Sequence, residues 1–463
     1  MKKIFTLFFI AIFLNGSAQF YNKWEISGGI KIDFTPSTPT LSLGGSVAAS
    51  HPDCSSTISD ASGNLLFYTD GVSVWDKNNS VMPNGTGLVG SYTGGQCAVI
   101  VPIPCSSTKY VIFHVTEFSN PGYLNYTVVD MSLNGGLGDV VTSQKNISFG
   151  SGWTEKLCAI YSPNLNAYWV VTHKWMNDQY VAFKVDASSI ATTSVVTSIG
   201  SSHTCGTVGG AHDAMGQLTI SKDGMKLVNA LTCQDKFEMF DFNINSGVLS
   251  NSVAITGNGG NAWGTAFSPD SKKLYVNSIF GQTIVQYDLT TYSTAAINAS
   301  KYTVYTTGVG GYNYGYIELG PDGKIYIPRP NSNSYIAAVN SPNNSGAACN
   351  YTHTAFNTGT STLQHGISRA AYNIPSTSIC AGISEANNLA SGISIYPNPA
   401  TDKLNFSGVG NIDQITFTNY LGQTVMNTSN NSDIHIKELN TGIYFVSFYS
   451  QGKKISTQKL IKE

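Results

Sequence analysis

Histidine, carboxylate and aromatic residues recur in a set of short, loop-like stretches of this sequence. They are "HVTEF" (His114, Glu117), "WTEK" (Trp153, Glu155), "THKW" (His173, Trp175), "GGAHD" (His212, Asp213), "NAW" (Trp263), "YNY" (Tyr312, Tyr314) and "LQH" (His365). Imidazoles and carboxyls are the usual general acids and bases, and two carboxylates about 5–10 Å apart can hydrolyse a glycosidic bond. Glu117 and Glu155 are the obvious pair. Aromatic faces do different work: they stack on sugars or cations while polar neighbours fix orientation. The bland reading of every one of these residues is a rim side chain bonded to a neighbouring loop.

Other chemistry is weakly represented. No GxSxG or HExxH occurs, and the eight histidines have no metal-ligand spacing along the chain. "GTGLVG", from Gly85 to Gly90, fits the dinucleotide fingerprint by letter, but no helix pattern follows it to present amides to a pyrophosphate. "DMSLNGG" from Asp130 and "DFNINSG" from Asp241 have the spaced oxygens of a calcium loop but lack its distal Glu. The sequence implies no cofactor and no metal.

What positions the candidate residues is a repeat. In "FYTDGVSVWDKN", "YLNYTVVDMSLNGG", "QYVAFKVDASS", "KFEMFDFNINSG", "QTIVQYDLTT" and "SYIAAVNSPNNSG", a strand-like run ends in Asp76, Asp130, Asp186, Asp241, Asp288 or Asn340, 47–56 residues apart. Such a residue accepts hydrogen bonds from the turn it opens. A polar turn leading into a β run precedes each, as in "SPDSKKLYVNS" and "GPDGKIYIPRP". Four strands per unit of roughly fifty residues predicts an all-β fold, a β-propeller. Six units are explicit. "WEISGGIKIDFTPSTPTLSL" and "LQHGISRAAYN" at the two ends read as strands that together make a seventh blade of four, with six or eight blades as the alternatives. In a ring, the loops entering the innermost strands gather at one mouth, which brings the candidate residues together.

Composition agrees. Of 463 residues only 11% are charged, with 25 Tyr and 21 Phe. This mix favours strands and turns over helices. A net charge of −2 and the lack of any Lys/Arg block offer no footprint for nucleic acid. Lys2 and Lys3, an apolar run from Ile4 to Leu14 and small residues before Gln19 read as a secretory leader over residues 1–18. No later segment is long and apolar enough to span a bilayer. Eight cysteines without a CxxC fit disulfides in an exported chain. Roughly a hundred connectivities are open, and Cys205–Cys233 is favoured because both fall on mouth loops of one blade.

Residues 19–374 thus read as the propeller and 375–391, small and aperiodic, as a linker. Residues 392–463 carry short strands and Gly turns that fit a small Ig-like sandwich.

Three resemblances add to this. "SPDSKKLYVNSIFGQTIVQYDLTT" resembles the repeat of YVTN/lactonase-like seven-bladed propellers, and "CSSTISDASGNLLFYTDGVSVWDKNNSVMPNG" resembles surface propellers of gliding-type Bacteroidetes. The tail resembles the type A C-terminal sorting domain of the type IX secretion system. It has "YPNPA" (Tyr396, Pro397, Asn398, Pro399), "LGQ" (Gly422), L-x-x-G-x-Y (Gly442, Tyr444) and the terminal "KLI" (Lys459) in order. That resemblance implies export to the cell surface or medium, with the type IX machinery as partner.

Three functions follow: a surface or secreted module binding a glycan, peptide or matrix partner at the mouth; a lactonase-like enzyme or hydrolase there; or a structural surface protein without a small ligand. A lactonase-like site is hard to build when Arg329 and Arg369 are the passenger's arginines.

Overall fold

The computed structural model describes residues 19–51, 53–117, 122–206, 212–257, 259–308, 314–330, 335–359, 363–375, 393–407, 412–419, 423–429, 434–450 and 453–463. The expected leader, most of the expected linker, Tyr312 and Gly422 lie outside the described residues. The chain divides into two compact units, residues 1–379 and 380–463.

Among the described residues, the first unit holds seven antiparallel sheets in which strands neighbour one another in chain order. Lys23–Ile26, Ile30–Asp33 and Thr40–Leu43 make the first, and Ser56–Ser59, Leu65–Thr69 and Val74–Asp76 the second. The third begins Ala98–Pro102, Lys109–Val115 and Gly122–Asp130, and takes an additional strand, Ile147–Trp153. The fourth to seventh have four strands each and begin with Cys158–Ser162, Leu218–Ile220, Ala262–Phe267 and Glu318–Leu319.

The recurring Asp turn has the geometry its chemistry demands. Asp76 Oδ1 accepts from the Asn78 and Ser80 amides, Asp130 Oδ1 from Ser132, Asp186 Oδ1 from Ser188 and Ser189, and Asp288 Oδ1 from Thr290. Asp241 departs from the pattern by pairing with Lys226, and Asn340 by donating to Asn350 O. The calcium-like stretch at Asp130 is therefore accounted for by the turn it sits on, whereas in the stretch at Asp241 the turn is held by Asn243, whose Oδ1 accepts the Asn245 amide.

Burial explains why the pattern along the strands is not simple alternation. Strand Ala167–His173 is buried at every position, whereas the outer strand Leu249–Thr256 alternates. A strand covered on both faces reads as a continuous apolar run, and only an outer strand has a face in water. The covering faces come from neighbouring sheets. One core joins the second, third and fourth, and others join fourth to fifth, fifth to sixth, and sixth to seventh. A further core packs Trp24, Ile26 and Ile32 of the first sheet on Tyr326, Ile336 and Ala338 of the seventh. The Trp24 and Tyr326 rings meet edge to face at 5.6 Å.

The expected seventh blade made from both chain ends is not found, because no described sheet contains strands from both. The first sheet is N-terminal throughout. Residues 363–374 instead run between sheets: Arg369 bridges Ser56 and Tyr372 bridges Ile160, both in parallel. The Arg369 amide donates to Ser55 O at 3.1 Å and the Tyr372 amide to Ala159 O at 2.9 Å. A buried carboxylate gives the physical reason. Glu318 takes Arg369 at 3.6 Å and the Tyr372 hydroxyl at 2.7 Å, and a buried charge without partners is costly. Around this segment, Val99, Ala159, Ile220 and Glu318 from four first strands close on a gap of only about 10 Å³.

The second unit has a three-stranded sheet (Ser394–Tyr396, Lys403–Ser407, Ile434–His435) and a four-stranded one (Thr424–Thr428, Gln414–Asn419, Gly442–Ser450, Lys453–Lys462). Leu404, Ile415, Phe417, Ile436, Val446, Phe448 and Leu460 fill one core. Its sequence signature holds the terminal strand. Asn398 Oδ1 accepts the Ile461 amide at 2.9 Å, and its Nδ2 donates to Lys459 O at 2.6 Å. The Ala400 amide donates to Ile461 O, and the Glu463 amide returns to Ala400 O. Pro397 and Pro399 have no N–H to leave unpaired here. "YPNPA" thus covers the outer edge of the terminal strand, which would otherwise stand open to pairing. The Tyr444 hydroxyl donates to Asn440 O at 2.8 Å and closes the L-x-x-G-x-Y turn, while Lys459 and Tyr396 stay exposed.

Candidate functional site

The loops leading into the first strands of the second to seventh sheets meet at one end of the first unit. The Glu155 amide donates to Ala214 O, the Gln217 amide to Trp263 O and the Tyr316 amide to His365 O. Two disulfides brace this end. Cys205–Cys233 lies within it, with Asp213 Oδ1 accepting the Cys233 and Gln234 amides. Cys54–Cys97 ties the second sheet to the third and was not foreseen from spacing.

Most of the candidate acid–base groups are engaged in holding the fold. His114 is fully buried, with Nδ1 on Val89 O and Nε2 on Thr127 Oγ1, both at 3.0 Å. Burial pushes its imidazole down to about 4. His173 has Nδ1 on Lys174 O at 2.6 Å and stacks on His203 at 3.5 Å, and burial holds it down to about 3. His212 meets the Trp175 ring edge-on at 6.2 Å and is likewise held down to about 4 by burial.

Among the described residues, the candidate aromatics do not present faces. Trp153 lies in the core under the Lys174 ammonium, Trp175 is 8% exposed, and Trp263 is 2% exposed and stacked on Tyr316 at 4.6 Å. Tyr314 is fully buried. The expected stacking platform is therefore corrected: these rings fill space between sheets, where a large apolar side chain gains most from leaving water.

Glu117, Glu155 and His365 come together around residues 93–95, with two residues the sequence reading passed over. Thr93 Oγ1 donates to Glu117 Oε2 at 2.6 Å and the Gly95 amide to Glu155 Oε2 at 3.1 Å. Asp53 Oδ1 lies 3.5 Å from His365 Nδ1. The Tyr316 hydroxyl abuts Gly95 so closely that a Cβ there would stand 1.7 Å from it. Asp53 hid in "HPDC" beside a cysteine, and Tyr316 in "YNYGYIEL" behind two nearer tyrosines. Of the two arginines, Arg369 pairs with Glu318 while its guanidinium lies 5.4 Å from the centre of the Tyr316 ring, and Arg329 donates to His353 O at 3.0 Å.

A cleft of about 360 Å³ lies at the opposite end, where the first strands finish. Residues 19–22, 319–322 and 371–374 line it with Phe34 and Lys222. None of the eleven candidate residues that are described lines it. Among the described residues, no three His, Cys, Asp or Glu side chains stand close enough to ligate one metal ion.

The neutral, buried imidazoles make stability depend on acid. The folded pKa of His114, about 4, lies below its unfolded value of 6.5. Its contribution is therefore complete above pH 6.5 and lost as pH falls toward 4, a change of about 3 kcal/mol. Glu25 and Glu318, pushed up to about 7 by burial, act in the opposite sense over an overlapping range. Comparison with His114→Gln cancels them. The stability difference between wild type and variant, from urea unfolding, should shrink by about 3 kcal/mol from pH 7 to pH 4. A pH-independent difference would show that His114 is not held neutral.

Comparison with known proteins places the second unit. Residues 394–463 match the family described as the secretion system C-terminal sorting domain. The protein is thus exported by the type IX system to the cell surface or the extracellular space. Among the described residues, no helix is long and apolar enough to cross a membrane. No curated protein matches the chain. Solved structures that align with it include a functionally unknown protein from Desulfotomaculum acetoxidans, at 12% identity and TM-score 0.38, covering 80% of this chain and 94% of that one. Another is a putative 6-phosphogluconolactonase from Bacteroides fragilis, at 14% identity and TM-score 0.37, covering 85% and 93%. A third is a putative 6-phosphogluconolactonase from Bacteroides uniformis, at 13% identity and TM-score 0.38, covering 88% and 98%. Scores of this size bear on neither fold nor chemistry.

Proposed function

We propose that the exported passenger, residues 19–374 behind a leader at 1–18, is a seven-bladed β-propeller that acts as a binding module. It meets a glycan, peptide or matrix partner at the loop end of its first strands. Residues 375–391 link it to the sorting domain at 392–463, which engages the type IX machinery. The seven successive sheets support the ring, as does the core that returns from the seventh sheet to the first.

One observation favours binding over catalysis. His114 and His173 at this end are buried and anchored on backbone carbonyls. General acid–base work needs a group near its working pH and within reach of substrate. Recognition needs only fixed donors and acceptors, which the loop end supplies at Asp53, Glu117 and His365. A screen of the exported protein against glycan and peptide arrays, repeated with Asp53→Asn and Glu117→Gln, tests this reading. Hits weakened by both variants are expected. Turnover of a lactone or glycoside substrate that survives His173→Asn and falls with Glu117→Gln would replace it with the enzyme reading.

A further inference from the structure

We propose that Arg329 and the Tyr314 hydroxyl hold a small inorganic anion, chloride or another halide, between the sixth and seventh sheets. The site uses none of Asp53, Glu117 and His365, and it stands whether or not those residues bind a partner.

Arg329 ends the strand Ile325–Arg329 of the seventh sheet. Ile325, Ile327 and Tyr314 pack there against Tyr275 and Ile284 of the sixth. Side chains two apart on a strand share a face, so Arg329 continues that row. It is 3% exposed, and one terminal nitrogen donates to His353 O at 3.0 Å. Half-buried rings lie beside it: Tyr305 is 4.9 Å from Tyr351 and 4.4 Å from His353, centre to centre. Burial and the Arg329 charge hold His353 down to about 4, so that imidazole is neutral.

Arg329 has no counter-charge. Among the described residues no carboxylate pairs with it, whereas buried Lys273 has Asp288 at 2.7 Å and buried Arg369 has Glu318 at 3.6 Å. The surrounding sequence offers none, since residues 289–317 and 323–384 contain no Asp or Glu. A buried charge is costly unless it is paired. A lysine can escape by releasing its proton, and burial pushes Lys156 down to about 7. A guanidinium stays charged. The neighbouring phenols are not anions either, because burial pushes Tyr314 and Tyr351 up.

Two unused donors supply the independent observation. Arg329 Nε and the hydroxyl of the fully buried Tyr314 have no hydrogen-bond partner. The Gly315 amide donates to Pro328 O at 2.8 Å, which sets the two residues side by side, and the Arg329 charge acts on the Tyr314 phenol. Leaving buried donors unpaired is costly, and such groups in native proteins call for an explanation. One acceptor with one negative charge satisfies both donors and the guanidinium, whereas a water would leave the charge uncompensated. Atoms this deeply covered admit a single-atom anion rather than a carboxylate- or phosphate-bearing ligand.

The exported protein is melted in sodium chloride and in sodium gluconate of equal ionic strength, beside Tyr314→Phe and Arg329→Met. Chloride at about tenfold its Kd should raise the wild-type midpoint over gluconate by about 2 °C. That increment should fall by about half in Tyr314→Phe, which removes one of two donors, and vanish in Arg329→Met. In gluconate Tyr314→Phe should melt where wild type does, since its hydroxyl has no protein partner to lose. Comparing increments cancels the general action of each salt on apolar burial. Crystals grown in sodium bromide should show an anomalous peak within hydrogen-bond distance of Arg329 Nε and the Tyr314 hydroxyl. If Arg329→Met does not fold, Tyr314→Phe and the bromide map decide. An equal increment in wild type and Tyr314→Phe, or a bromide map without a peak beside Arg329, overturns the site.

Discussion

Arg369→Ala is expected to destabilise the first unit by about 3–5 kcal/mol, since removing one partner of a buried pair leaves the other charge uncompensated. Glu318 would be that charge. It is buried among first strands, and burial already pushes it up to about 7 with Arg369 beside it. A folded pKa above the unfolded one means stability that is complete below pH 4.5 and lost as pH rises through 7. Without the guanidinium that loss deepens, so the variant should suffer more at pH 8 than at pH 5. The double variant Arg369→Met, Glu318→Gln should recover much of the loss, because the Tyr372 hydroxyl keeps an acceptor. Urea unfolding followed by tryptophan fluorescence reads all three. A cost below about 1 kcal/mol, equal at both pH values, would show that residues 363–374 are not fixed by this pair.

Deleting residues 394–463 should abolish appearance at the cell surface and in the medium, with the protein retained in the periplasm. Asn398→Ala is the graded form of the same experiment. It removes an acceptor and a donor from the terminal strand, a loss of about 1–3 kcal/mol for a unit with a small core. Export should fall in proportion to the fraction of sorting domain left unfolded. Protease accessibility on intact cells measures both variants. Undiminished surface display of the deletion would remove the sorting role, and full display of an unfolded Asn398→Ala domain would show that its fold is not what is read.

The repeat was legible because one polar residue recurs at a strand end where the turn needs it. Asp76, Asp130, Asp186 and Asp288 mark third strands by their own hydrogen bonds, whatever surrounds them. The tail was legible because its motifs stand in a recognisable order, even though Asn398 acts on Ile461, 63 residues on, and Tyr444 closes a local turn on Asn440. What escaped depends on partners that no motif links. The path of residues 363–374 follows from Glu318, and the role of Tyr316 from Gly95, more than two hundred residues earlier. Local pattern carries no trace of such pairings. The candidate aromatics were misjudged because loop position implies water contact, and Trp263 shows that a residue opening a strand can be core.

The bridges from Arg369 to Ser56 and from Tyr372 to Ile160 also have a mechanical meaning. They are parallel, so tension applied from residue 375 runs along the strands and loads their hydrogen bonds together, in shear. An outer strand would instead peel one bond at a time. A passenger drawn by its tail is therefore held where its resistance to rupture is greatest.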